Sequence, residues 1–178
     1  MKKWNIMVMS IVLIIITVLV TVKTDVLRIY DADRDDDEQA LIYQTAVGEE
    51  NELILRWKHS VTKQYVIEKF RINEDRGFDV VEMIFNEHGP NLPKGPEMGT
   101  KWEIKDGYFR VYNYNLTFNE LPVRIGQVVA QHFIDFRGKE IPLNIVDEPG
   151  GYVIIRVENV TLLDFIEKGA KIWLRNLA

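Results

Sequence analysis

The chain has 178 residues, 47% hydrophobic and 28% charged, with a formal charge of −5 and no cysteine. That length suits one ordinary domain plus an extra element, and the composition is that of a folded chain. The acidic balance argues against a nucleic-acid binder, whose footprint would be basic, and the missing cysteines exclude a disulfide framework, a thiolate metal site and a cysteine nucleophile.

Lys2 and Lys3 precede nineteen residues without formal charge, 4–22. At about 1.5 Å per residue the stretch covers roughly 28 Å, close to the hydrocarbon thickness of a bilayer. Its β-branched residues are no obstacle in lipid, where the backbone must bond internally as a helix. A transmembrane signal anchor is expected over 4–22, making the lipid bilayer the first partner. The positive-inside rule keeps residues 1–3 in the cytoplasm and puts the remainder outside, as in a single-pass protein of the cytoplasmic membrane. A cleaved signal peptide would want a shorter apolar region and small residues before the cut, and LVTVK at 19–23 has none.

Residues 23–40 read as an acidic linker, because the run DADRDDDE at 31–38 holds six carboxylates. A calcium loop starting at Asp31 would need Gly at its sixth position and Glu at its twelfth, where Asp36 and Ile42 stand. No metal is expected.

From residue 41 short β-branched and aromatic runs follow one another, at 41–47, 53–72, 78–86, 100–104, 108–114, 123–134 and 152–160. Turn signals separate them, among them Asp106-Gly107, a hairpin dipeptide. The fold class expected for 41–178 is mainly β, an antiparallel β-sandwich or barrel-like domain.

Within 53–72 two strands flank a turn at 61–64. Alternation puts Leu53, Leu55, Trp57 and His59 on one face, with Ile54, Arg56, Lys58 and Ser60 on the other. On the second strand Val66, Glu68, Phe70 and Ile72 oppose Tyr65, Ile67, Lys69 and Arg71. Each apolar face carries one ionisable residue, and a hairpin brings His59 and Glu68 opposite or diagonal to each other. Downstream, 87–99 (EHGPNLPKGPEMG) holds three prolines and three glycines, which fit neither helix nor ladder strand. It reads as a stiff loop lining a pocket mouth, with Asn91 as a contact, or as a plain surface connection.

At 161–177 the period changes. Leu162, Leu163, Ile166, Ala170, Trp173, Leu174 and Leu177 share one side of a helix, and Asp164, Glu167, Lys168, Lys171 and Arg175 the other. Thr161 with Asp164 resembles a capping box. The apolar side is expected to pack on the sheet; the alternative is the membrane interface, anchored by Trp173.

The segment Leu55-Arg56-Trp57-Lys58-His59-Ser60-Val61 resembles the W-x-H-S-V segment of a bacterial family of unknown function encoded beside TAXI-type TRAP transporters. Glu68 stands at that family's acidic position, Gly89-Pro90-Asn91-Leu92-Pro93 is similar to its G-A-G-L-P loop, and His132 resembles a later lone histidine. The resemblance implies an accessory domain beside such a transporter, contacting its membrane subunit or a small anionic solute. It implies no reaction and no cofactor.

His59 and Glu68 are the candidate acid–base pair, with hydrolase or isomerase chemistry as the alternative to binding. Ser60 points to the opposite strand face and lacks a nucleophile elbow, so a serine hydrolase is not expected. His59, Glu68 and His132 form an acceptable metal set by residue type, but no paired-histidine spacing supports it. The candidate ligand-binding residues are therefore His59, Glu68, His132, Arg56, Trp57, Ser60 and Asn91, with Lys58 and Lys63 near enough to meet an anion.

Overall fold

A computed structural model describes residues 2–35, 40–97, 99–128 and 131–177. Helix α1 (Lys2–Thr21) is apolar all round, and none of its spanning window is buried in the protein. The hydroxyls of Ser10, Thr17 and Thr21 return to carbonyls four residues back, satisfying themselves without solvent. Such a helix is long and apolar enough to cross a membrane, as an anchor or as a signal sequence.

One residue after α1 the chain enters β1 (Lys23–Asp31). This corrects the expected linker. Val26, Leu27 and Ile29 of β1 are fully buried, and the strand lies between β2 (Leu41–Ala46) and β12 (Tyr152–Thr161). Of the acidic run, Asp31 ends the strand and 36–39 lie outside the described residues. The fourth strand of this antiparallel sheet is β9 (Leu121–Arg124), in the order β2-β1-β12-β9.

The second sheet holds β3 (Glu52–Lys58), β4 (Tyr65–Ile72), β5 (Phe78–Phe85), β6 (Lys101–Lys105), β7 (Tyr108–Tyr112), β10 (His132–Phe136) and β11 (Lys139–Pro142). Their order is β11-β10-β3-β4-β5-β7-β6, and the two-residue β8 (Thr117–Phe118) pairs with β5. The run expected as one strand at 123–134 is thus two, β9 and β10, in different sheets. Asp106 and Gly107 both take positive φ (52° and 80°), the hairpin geometry their sequence signals.

The inner face of the long sheet has two covers. Over β10, β3 and β4, Leu53, Leu55, Phe70 and Ile134 meet Leu27, Ile29, Val153 and Ile155 of the small sheet. Over β5 and β7, Val66, Phe85 and Val111 are capped by Leu92 from the 87–99 loop. Each such side chain contributes about 1.5–3 kcal/mol of burial. The division follows from strand count, since four strands cannot roof the whole long sheet.

Helix α2 (Leu162–Arg175) starts at an N-cap, Thr161, whose hydroxyl accepts the Asp164 N–H. It lies on the outer face of the small sheet, and its orientation overturns the expected one. Its docking bonds are polar: the buried Arg28 pairs with Asp164, the Gln44 amide donates to the Phe165 carbonyl at 2.7 Å, and Arg175 donates to the Leu41 carbonyl, while Glu158 of β12 meets Arg28 from within the sheet at 2.8 Å. Arg28 is 1% exposed, and its charge persists there only because two carboxylates meet it. The apolar residues Leu163, Ile166, Trp173, Leu174 and Leu177 face outward.

Candidate functional site

Strand registry assembles the site. Trp57 on β3 lies opposite Val66 of β4 and opposite His132 of β10, and Glu68 is opposite Leu55. Trp57 and Glu68 are therefore diagonal neighbours on the inner face, and the indole N–H donates to the Glu68 Oε1 at 2.7 Å. The His132 ring stacks on Trp57, with centroids 6.3 Å apart and planes 9° from parallel. The His59 ring also neighbours this indole, with 5.7 Å between centroids and planes 30° apart.

The expected His59–Glu68 pair is not formed: among the described residues no hydrogen bond joins them. β3 ends at Lys58, so His59 sits in the turn, where its Nδ1 accepts N–H groups of Val61 (3.2 Å) and Thr62 (3.3 Å). Nδ1 is thereby the acceptor, and Nε2 carries the proton that it donates to the Pro90 carbonyl at 2.9 Å. His59 is a buried latch between the hairpin turn and the proline-rich loop. Gly89 shows how close the loop comes, since a Cβ there would stand 2.7 Å from the His59 ring. Backbone approach of that kind is what a glycine permits.

Other expected contacts fall elsewhere. Arg56 is on the outer face, paired with Asp135 and Glu140. Ser60 is exposed at the turn, where its carbonyl accepts the Lys63 ammonium. Asn91 is exposed, takes a positive φ of 66°, and lines a 520 Å³ cavity beneath the loop. The three-residue metal set is not assembled either, because both His59 nitrogens are engaged by the backbone. A separate cluster of Asp31, Asp33 and Asp147 is taken up locally: Asp31 holds Arg34 and the Asp33 N–H, and Asp147 holds the Glu148 and Tyr152 N–H groups.

What remains is centred on Glu68. It is half-buried by surface yet set deep among protein atoms; this desolvation pushes its pKa up from 4.5, against the pull of the Trp57 hydrogen bond. His132 is buried, and desolvation pushes its pKa down, keeping the imidazole neutral. Its Nδ1 has no hydrogen-bond partner among the described residues, and neither has the buried hydroxyl of Tyr114. Burial first, and the Glu68 charge second, raise the Tyr114 pKa to about 12.

Tyr114 lines the cavity beneath the loop, while Glu68 and His132 border a cleft of about 290 Å³, lined with Trp57 on the long sheet and by Pro122, Val123 and Arg124 on β9. It lies where the small sheet ends, at its edge strand β9, between the two covers. Arg124 is exposed there and makes no ion pair among the described residues. Sequence reasoning missed Arg124 and Tyr114, whose place depends on pairings far apart in the chain. Pro122 carried a usable signal, since a proline in a strand marks an edge.

A family model for a domain of unknown function, DUF1850, matches residues 53–143. The chain belongs to the DUF1850 family. The DUF1850 match takes in the long sheet from the second residue of β3 onward, the 87–99 loop and β9, and so every residue of the cleft. Helix α1, the strands β1, β2 and β12, and α2 lie outside it. No curated protein and no solved structure matches the chain.

Proposed function

We propose that this DUF1850 protein is a small-solute-binding module, held at the extracytoplasmic face of a bacterial cytoplasmic membrane by α1. One observation carries the reading. Glu68 opens onto a cleft in which its Trp57 N–H bond is its only hydrogen bond among the described residues, and the buried Nδ1 of His132, which lines the same cleft, has none. Polar groups of that kind are ordinarily satisfied, and a cleft bordered by two that are not is suited to a ligand that closes them. The solute would bring a hydrogen-bond donor to Glu68 and an anionic group to Arg124, as the simplest amino and hydroxy acids do. The stacked Trp57 and His132 rings supply its apolar wall. An acid–base enzyme is less well supported, because His59 is committed to the loop.

The test uses the full chain in detergent micelles with glycine, L-lactate and acetate as probes. Glycine or lactate should raise the thermal transition and shift the His132 ring resonances, acetate should do so less, and Glu68→Gln should abolish the effect. No response to any probe, or an undiminished response in Glu68→Gln, would sink the binding reading. The implied TAXI-type TRAP transporter is the natural destination of such a solute. Deleting the protein should then reduce uptake of that solute, and crosslinking should recover the transporter's membrane subunit. Unchanged uptake with no subunit recovered removes the transporter while leaving the solute test standing.

A further inference from the structure

Helix α2 is bonded to the small sheet by polar groups and turns its main apolar stripe away from it. Its bonds to the sheet run through Asp164, the Phe165 carbonyl and Arg175, and no residue of the helix is fully buried. Around the helix, Phe165, Gly169 and Ile172 are half-buried against the sheet, Asp164, Glu167, Lys171 and Arg175 form one flank, and Leu163, Ile166, Trp173, Leu174 and Leu177 form the other. The apolar flank is exposed along its whole length, with Trp173 62% and Ile166 55% accessible. Solvent-exposed apolar stripes of this size mark an interaction surface.

The chain's own connectivity says what covers it. The Leu162 N–H donates to the Val22 carbonyl at 3.0 Å, so the first turn of α2 is fastened to the residue that follows α1. Any bilayer that surrounds α1 has its headgroup layer at Thr21–Lys23, and Leu163 is therefore at that layer. From there the stripe runs about 21 Å along the helix, the length of fourteen residues. A tryptophan toward one end and lysines toward the charged flank suit the interface, where indoles sit at headgroup depth and lysine stems extend to water.

We propose that α2 lies flat in the membrane interface beside α1, its Leu163–Ile166–Trp173–Leu177 stripe sunk into the headgroup and acyl boundary. The domain then touches the bilayer at two places, the span and this helix, and its small sheet is seated on the membrane through Arg28 and Gln44. The inference rests on α1 being a membrane span, and not on the solute reading.

The absence of cysteine makes the test direct. Single-cysteine variants of the full chain, Val12→Cys, Ile104→Cys, Ile166→Cys and Trp173→Cys, carry a nitroxide in phosphatidylethanolamine–phosphatidylglycerol vesicles, each first shown to keep the parent's thermal transition. Collision with oxygen against a water-soluble nickel chelate then reports depth. Labels at 166 and 173 should favour oxygen several-fold over the label at 104, which sits on the exposed β6, and should approach the label at 12. Water-exposed labels at 166 and 173, with 12 in lipid, would overturn the proposal while leaving the anchor intact. Shielding of 166 and 173 from both reagents would mean protein covers the stripe and would overturn it equally. A label at 166 in lipid with 173 in water would show the helix standing off the surface, against the flat seating. A water-exposed label at 12 would remove the span itself and the inference with it.

Discussion

Glu68 and Glu82 stand on adjacent strands, β4 and β5, but on opposite faces of one sheet. Glu82 is 5% exposed; burial alone would raise its pKa, yet Lys69 at 2.9 Å and Arg110 hold it below the usual carboxylate range. Glu68 receives a single neutral N–H from Trp57, and burial prevails, so its pKa rises. The outer carboxylate is compensated by two cations and braces neighbouring strands. The inner one is compensated in part and borders an open cleft. Incomplete compensation, rather than burial, is what separates a carboxylate available to a ligand from one that serves the fold.

The largest break in this contrast comes from removing the inner partner. Trp57→Ala deletes the Glu68 donor and the ring that both His59 and His132 neighbour, and should cost about 3–5 kcal/mol in chemical denaturation. Arg110→Ala on the solvent side leaves Lys69 on Glu82 and should move the denaturation midpoint far less. A Trp57 effect no larger than that of Arg110 would contradict the role given to the indole.

The latch comes next. His59→Ala strands the Pro90 carbonyl and two turn N–H groups, at about 2–3 kcal/mol. Gly89→Ala alone should cost about 1–3 kcal/mol by pushing a methyl into the His59 ring. In the double variant that second cost should fall to a few tenths, because the ring is gone. Strict additivity in the cycle would deny the contact.

Glu68→Gln should stabilise the protein at pH 7, by about 1 kcal/mol or a few degrees in Tm. The sign follows from linkage: a carboxyl whose folded pKa is raised above 4.5 is no burden below that pH, and stability is lost as pH rises through the folded value. The gain should therefore vanish below about pH 4.5, where the wild-type carboxyl is protonated in both states. Glutamine keeps an oxygen for the Trp57 N–H, so a loss of stability at pH 7 would contradict the uncompensated-charge account. Arg56→Ala should have the smallest effect, about 0.5 kcal/mol, with binding unchanged, since its ion pairs lie on the solvent side.

Much of this was legible because it is local. Apolarity marked α1, alternation put Trp57 and Glu68 on one face, and Asp106-Gly107 fixed its hairpin. Non-local effects were not legible. β1 was hidden behind the acidic run at 31–38, and its Arg28 makes sense only beside Glu158 and Asp164, 130 and 136 positions away. Alternation carried His59 one residue beyond the strand's end, so the histidine found backbone partners instead of Glu68. The helical period of 161–177 was readable, but which side faces the sheet was decided by Arg28 and Gln44 rather than by the apolar stripe.

The single residue between α1 and β1 has a mechanical consequence. Val22 leaves no slack, and β1 pairs with β12 from Lys23↔Thr161 to Asp31↔Val153 without a bulge. A pull on Val22 along the direction of β1 is delivered into the middle of the small sheet, where it drags β1 lengthwise past its neighbour. Nine residue pairs then resist together, as in a lap joint, instead of opening one after another as a zip does. The attachment is a short joint backed by nine paired residues, built to carry load rather than to give way.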